Sequence, residues 1–197
     1  MERKFVLIGL LMSICMLNLF SIAEQQLFQL KGNTESFAEI EFNLTDYEFI
    51  LNEIDGTTYH RIYHDEAGLL LEEGLPELPV FSVTIAIPNT GTVYLDEVEV
   101  LDTEYLNNVR VFPSQGPDLL ISPERGFIKD SAFYNRNVVY PSSNSEISTP
   151  AVVRDFRFVS VAVTPFRYNP AASELTIDKK IRLKVNYDPY TPGENEI

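Results

Sequence analysis

Between Gly74 and Pro88 the chain reads GLPELPVFSVTIAIP, and its proline and glycine punctuation leaves few folds open. Gly74, Pro76 and Pro79 exclude a helix there. Proline fixes φ, lacks an N–H and drives the residue before it to extended backbone. Beyond them Phe81, Val83, Ile85 and Ile87 alternate with Ser82, Thr84 and Ala86, the period of a strand with one apolar face. Pro88 closes the run, and Asn89, Thr90 and Gly91 supply a turn. The stretch predicts an inner strand of a sandwich.

The same period recurs along the chain. Ser36 to Leu44 sets Ala38, Ile40, Phe42 and Leu44 against Glu39, Glu41 and Asn43. Tyr47 to Leu51 and Thr57 to Tyr63 flank Asp55-Gly56, a strong hairpin signal. Thr92 to Leu95 and Glu97 to Leu101 read as strand broken at Asp96 and Glu97 by a bulge or bend. Val109 to Phe112 and Val138 to Tyr140 are short strands, and Pro141 to Pro150 is a serine-rich loop. Val152 to Thr164 reads as one long strand with Val159, Val161 and Val163 on one face; Leu175 to Ile177 and Ile181 to Tyr187 follow. With about ten strands and no amphipathic helix, the expected class is all-β, an antiparallel β-sandwich of jelly-roll or immunoglobulin-like kind. From Ser114 to Asn137 the alternation lapses around Gly116, Pro117, Pro123 and Gly126, while Leu119, Leu120, Ile121 and Phe127 keep it apolar. Irregular passages of that length inside a compact domain often carry function.

A length of 197 residues, 45% of them hydrophobic, suits one domain with a true core. Residues 1–23 read as a signal peptide: Arg3 and Lys4, an apolar run from Phe5 to Phe20, then Ser21-Ile22-Ala23 before a cut. The alternative is a retained membrane anchor. Ile14 before Cys15 argues against lipid attachment, which wants a small residue there. Residues 24–35 read as a loose mature terminus, 36–187 as the sandwich, and 188–197 as a linker or free tail. The expected location is secreted or periplasmic, with no membrane contact after cleavage.

Cleavage removes Cys15, the only cysteine, and with it any thiol nucleophile or disulfide. The full chain has 15 basic and 29 acidic residues; losing Glu2, Arg3 and Lys4 leaves 13 and 28, a net charge of −15. Such a protein repels nucleic acid and favours a basic partner surface. Signatures of serine hydrolases, phosphate loops and zinc proteases are absent. His60 and His64 share a strand face with Asp65 and Glu66 behind them, yet no third ligand is evident. Glu72/Glu73 and Asp96/Glu97 lack calcium-loop spacing and read as solvated charge. No metal, cofactor or catalytic residue is expected.

Three blocks resemble the N-terminal propeptide of gingipain-type cysteine proteases. They are Gly74-Leu75-Pro76-Glu77-Leu78-Pro79 with its strand ending at Pro88, the run Val161 to Pro170 containing Pro165, Tyr168, Asn169 and Pro170, and the closing strands at Leu175 and Ile181 to Tyr187. The resemblance covers most of residues 30–187. It implies a non-catalytic jelly-roll prodomain that keeps a cysteine protease catalytic domain latent, in cis or in trans, and helps it fold. It also implies a loop that lays a basic side chain into the enzyme's specificity pocket. Arg125, in Pro123-Glu124-Arg125-Gly126, and Lys129 are the candidates for that side chain; Arg110, Arg136, Arg154 and Arg157 are further possible cut or contact points. The catalytic domain is missing from these 197 residues, so the chain is either part of a longer precursor or acts alone. The competing expectation is a secreted β-sandwich binding or adhesion module for a glycan or cell-surface protein. The lack of tryptophan counts against its glycan form.

Overall fold

Alternating side chains need two facing layers to bury their apolar halves, and the computed structural model of the chain, which describes residues 26–116 and 126–197, supplies them. The strands of the N-terminal half are β1 (Phe28–Asn33), β2 (Phe37–Asn43), β3 (Glu48–Ile54), β4 (Thr57–Tyr63), β5 (Gly68–Leu69), β6 (Pro79–Ala86) and β7 (Thr92–Asn107). After the single-turn helix α1 (Ser131–Tyr134) come β8 (Ser145–Ile147), β9 (Ala151–Val153), β10 (Phe156–Val163), β11 (Phe166–Asn169) and β12 (Glu174–Asp188). Every ladder between these strands is antiparallel. The expected all-β sandwich therefore holds, with twelve strands among the described residues rather than about ten.

β12 is the hub of the first sheet. One edge pairs with β11 and then β2; the other pairs with β7 along its whole length. Its inward residues Ile177, Ile181, Leu183 and Val185 are fully buried. β10 is the hub of the second sheet, with β6 on one edge and β8 and β9 on the other. Val159, Val161 and Val163 point inward from it, as the alternation predicts. Phe42 of the first sheet meets Phe81 of the second, ring centroids 5.3 Å apart. The β3–β4 hairpin turns at Asp55 and Gly56, both at positive φ, and docks through Tyr47 onto Phe166.

The outer face of the first sheet is a lattice of ion pairs centred on Glu41, which meets Lys31 and Lys180 at 3.1 Å each. Burial opposes ionisation of Glu41, but hydrogen bonds from those two ammonium groups outweigh it and hold its carboxyl below the usual range.

Several local expectations are corrected. Residues 28–33, read as part of a loose terminus, form β1, because Phe28 packs on Phe42 at 5.2 Å. β6 is not an inner strand throughout: β5 covers only its first two residues, and from Phe81 onward it pairs with β10 alone. The long strand expected from Val152 is a β9–β10 hairpin that turns at Arg154, which adopts positive φ. β8 lies within the expected serine-rich loop. Val109 to Phe112 makes an isolated bridge at Val111, and Val138 to Tyr140 one at Tyr140. Thr92 to Asn107 is a single strand; the expected irregularity is there, since Glu97 pairs with Lys184 and Leu95 with Val185, leaving Asp96 unmatched.

The segment expected to be a linker or free tail is pinned. The Arg157 guanidinium, 1% exposed, donates to the carbonyls of Pro88 (2.9 Å), Gly91 (2.9 Å) and Glu194 (3.1 and 2.7 Å). The Glu196 carboxylate accepts from the N–H groups of Gly91 (2.8 Å) and Gly193 (2.9 Å), and the Ile197 N–H donates to Asn89. A Cβ on Gly193 would fall on the Gly91 carbonyl oxygen, so only glycine permits this approach.

Candidate functional site

The irregular stretch after β7 is anchored before and after residues 117–125. Val111 bridges His60 of β4 and Pro113 bridges Pro76, so the chain from Arg110 to Ser114 lies between the hairpin and the GLPELP run. Ser114 donates to the Leu75 carbonyl at 2.7 Å and accepts from the Gly74 N–H at 2.8 Å. Gly74 also accepts from the Asp130 N–H at 3.1 Å, so one residue holds both flanks of the stretch. It does so at φ +80°, with the Asp130 nitrogen 3.0 Å from where a Cβ would stand.

Gln115 completes this neck. Its amide oxygen accepts from the Ile128 N–H (2.9 Å), and its amide nitrogen donates to the Ile128 (2.9 Å) and Pro113 (2.8 Å) carbonyls. A side chain thus imitates a strand and satisfies both backbone groups of Ile128. Next to it Phe127 packs on Tyr59 (5.5 Å) and Phe112 (5.7 Å), while the Arg61 guanidinium lies 4.2 Å over Phe112. Arg61 reaches the buried Glu77 at 2.6 Å. The Lys129 ammonium sits 4.7 Å over the Tyr134 ring and 5.8 Å from that of Tyr59. Asp130 caps α1 by accepting from the Phe133 N–H. Tyr134 donates to the Val111 carbonyl, and burial pushes its phenol well above the usual range.

The residues picked from the sequence divide accordingly. Gly74, Pro76 and Lys129 meet at the neck. Pro79 opens β6 beside Leu69, and Pro88 offers its carbonyl to Arg157. Pro165 accepts from the Asp178 N–H, and Pro170 accepts from the Ser173 N–H in the β11–β12 turn. Tyr168 is buried and donates to Val109 at 3.0 Å; Asn169 donates to Asn137 at 2.7 Å. These last four build the hairpin that supports Val109 from below rather than the neck itself. Arg125 lies outside the described residues. Of the other basic candidates, Arg110, Arg136 and Arg154 are exposed, whereas Arg157 is buried and occupied by carbonyls.

The two histidines are used internally. His64 is buried, meets Thr45 Oγ1 through Nε2 at 2.7 Å, and accepts the Glu66 N–H on Nδ1. His60 accepts the Arg110 N–H on Nδ1. Among the described residues no group of three or more His, Cys, Asp or Glu could hold a metal ion. Sequence reading misses Gln115 and gives Arg157, a buried clamp, the role of a possible cut or contact point. A lone glutamine carries no signal, and an arginine beside Phe156 and Phe158 looks like any strand cation.

Comparison with known proteins agrees with this architecture. A chain from the complex of the pro- and mature domains of RgpB from Porphyromonas gingivalis superposes with a TM-score of 0.73 at 23% identity, covering 88% of this chain and 90% of that one. A structure addressing zymogenic latency of gingipain K from the same organism gives 0.70 at 19% identity, covering 85% and 95%. Gingipain R1 of P. gingivalis is 25% identical over 160 residues, 80% of this chain and 16% of that protein. Gingipain R2 is 24% identical over 174 residues, 83% of this chain and 22% of that protein. The chain therefore spans less than a quarter of the length of these relatives. Residues 23–196 match the Propeptide_C25 family, nearly the whole chain, and the chain belongs to that family.

Proposed function

We propose that this protein is a non-catalytic prodomain that holds a gingipain-like cysteine protease latent and assists its folding. In this reading residues 1–23 export it, and the stretch between Gly116 and Gly126 enters the protease's active cleft with Arg125 as the basic anchor. The observation that carries the reading is the neck: Gln115 clamped to Ile128, and Gly74 holding both Ser114 and Asp130. Holding the two flanks together fixes where the segment leaves and rejoins the scaffold, and a preorganised scaffold lowers the cost of binding. Lys129 is the weaker anchor, because its ammonium already rests on Tyr134 and Tyr59.

The test is inhibition of the mature domain of RgpB by the purified protein. Arg125→Ala should abolish inhibition and Lys129→Ala should leave most of it. Equal inhibition by the wild type and Arg125→Ala would remove the anchor from this account. Failure of the wild type to inhibit would remove the latency role.

A further inference from the structure

Sheet edges are templates for a further strand, and natural proteins blunt them with lysine, proline, shortness or a covering element. β7 has neither lysine, proline nor shortness, and only acidic side chains and two bulges blunt its edge. Its sixteen residues pair with β12 on one edge and with no strand on the other among the described residues. Its sequence, TVYLDEVEVLDTEYLN, holds no proline, glycine, lysine or arginine. Two unmatched residues, Asp96 and Leu101, interrupt the register without shortening the strand.

The edge is also apolar where it should be covered. Val98 and Val100 sit opposite Leu183 and Ile181, both fully buried, and so face the interior side of the sheet. Yet each is 38% exposed. Leu101, Tyr94 and Tyr105 add exposed apolar surface along the same strand.

Charge selects the occupant. β7 carries five acidic residues and no basic one; Glu99 and Glu104 are paired to Arg182 and Lys179 of β12 and Asp96 accepts from Asn186, so the surplus negative charge of the strand rests on the others and on the net charge of the chain. Pairing with a second copy of itself would set acidic strand against acidic strand in a protein of net charge −14, and like charges across a ladder destabilise it. We infer that the free edge of β7 receives an extended segment of the protease domain, with alternating apolar side chains and flanking Lys or Arg, as an added strand. This rests on the prodomain reading above and adds a second contact to it, apart from the neck.

The test measures amide hydrogen exchange of Thr92–Asn107 with and without the mature domain of RgpB, beside its affinity for variants. The expected result is protection of these amides in the complex. Val98→Lys combined with Val100→Lys should weaken binding at least about tenfold by placing cations on a basic partner. Leu51→Lys, an exposed position on β3, should not, and thermal unfolding checks that each variant is folded. If the wild type binds but β7 stays unprotected and the double variant binds equally well, this inference falls while the latency reading stands. If the wild type forms no complex, the latency reading falls and takes this inference with it. Protection of β7 in the free chain that vanishes on dilution, or on deleting residues 117–125, would assign the edge to a second copy or to the chain itself and overturn the inference.

Discussion

Two stretches without regular secondary structure each contain or meet one polar side chain that clamps several backbone groups, and the two side chains differ in charge. At the neck, the neutral amide of Gln115 makes three hydrogen bonds to Ile128 and Pro113 from a half-buried position. At the tail, the Arg157 guanidinium makes four to the carbonyls of Pro88, Gly91 and Glu194 while almost fully enclosed. An amide is self-complementary to backbone and needs no counter-charge. A buried guanidinium must have its charge spread over acceptors, so every carbonyl it holds depends on its presence. The neck should thus be a local fixture, whose loss changes one segment, and the tail clamp a global one.

The sharpest break of this comparison is Arg157→Leu. It orphans three carbonyls and leaves residues 193–197 held by Glu196, Asn195 and Ile197, and should cost about 3 kcal/mol of folding stability, read as a lower urea midpoint at unchanged slope. Arg157→Lys should recover only part, since an ammonium cannot fork to carbonyls on three sides. A full-strength Lys variant would show that charge alone matters there.

Gln115→Leu comes second. It keeps the volume but leaves the Ile128 N–H and carbonyl unpaired, at a cost of about 2 kcal/mol if the neck cannot reach water. Where water reaches it, the cost shrinks and the effect moves to mobility. Either way residues 116–128 should become the first site of limited proteolysis, while Gly91 and Gly193 keep their exchange protection. Simultaneous loosening of the tail would mean that the two regions are not independent.

How much of this was written in the sequence depends on the range of the interaction. Period-2 alternation reports which face a residue takes, so Ile181, Leu183 and Val185, and Val159, Val161 and Val163, could be assigned to the core without coordinates. Asp55-Gly56 named its own hairpin because the turn geometry is local. Edges, by contrast, are set by what lies beside a strand, which alternation does not report. Hence alternation marks β6 as inner although among the described residues it has no second neighbour beyond Val80, and it passes over β1, whose partner is ordinary strand sequence in β2. The tail misled for the same reason. Pro192, Gly193 and two acids have the composition of a linker, and what makes it otherwise lies far off in the chain, Arg157 above all, 37 residues before the Glu194 carbonyl it holds. At the neck, glycine and proline flagged an irregular segment, but the closing residue was a glutamine with no pattern around it.

Phe127→Ala tests the neck's apolar half. The ring is 38% exposed, so its removal should cost about 1 kcal/mol, less than a core phenylalanine. It should also loosen the same residues as Gln115→Leu. If Phe127→Ala leaves proteolysis of 116–128 unchanged, the amide clamp alone sets the neck.

The smallest effect is a titration, and it separates the regions most cleanly. Hydrogen bonds from the Gly193 and Gly91 N–H groups hold the Glu196 carboxyl below its ordinary 4.5. Hydrogen bonds from Thr191 and the Tyr190 N–H lower Asp188 in the same way from 3.8. A carboxyl lowered in the folded state stabilises it above the unfolded value and loses that contribution as pH falls through the folded one. The tail should therefore hold at neutral pH and loosen only below about pH 4.5, with Gly91 and Gly193 amide resonances moving together. The clamp at Gln115 contains no ionisable group, so the Ile128 amide should stay still through that range. Movement of Ile128 in step with Gly193 would show that acid opens the sandwich as a whole rather than its tail, and the contrast between a neutral local fixture and a charged one would lose its basis.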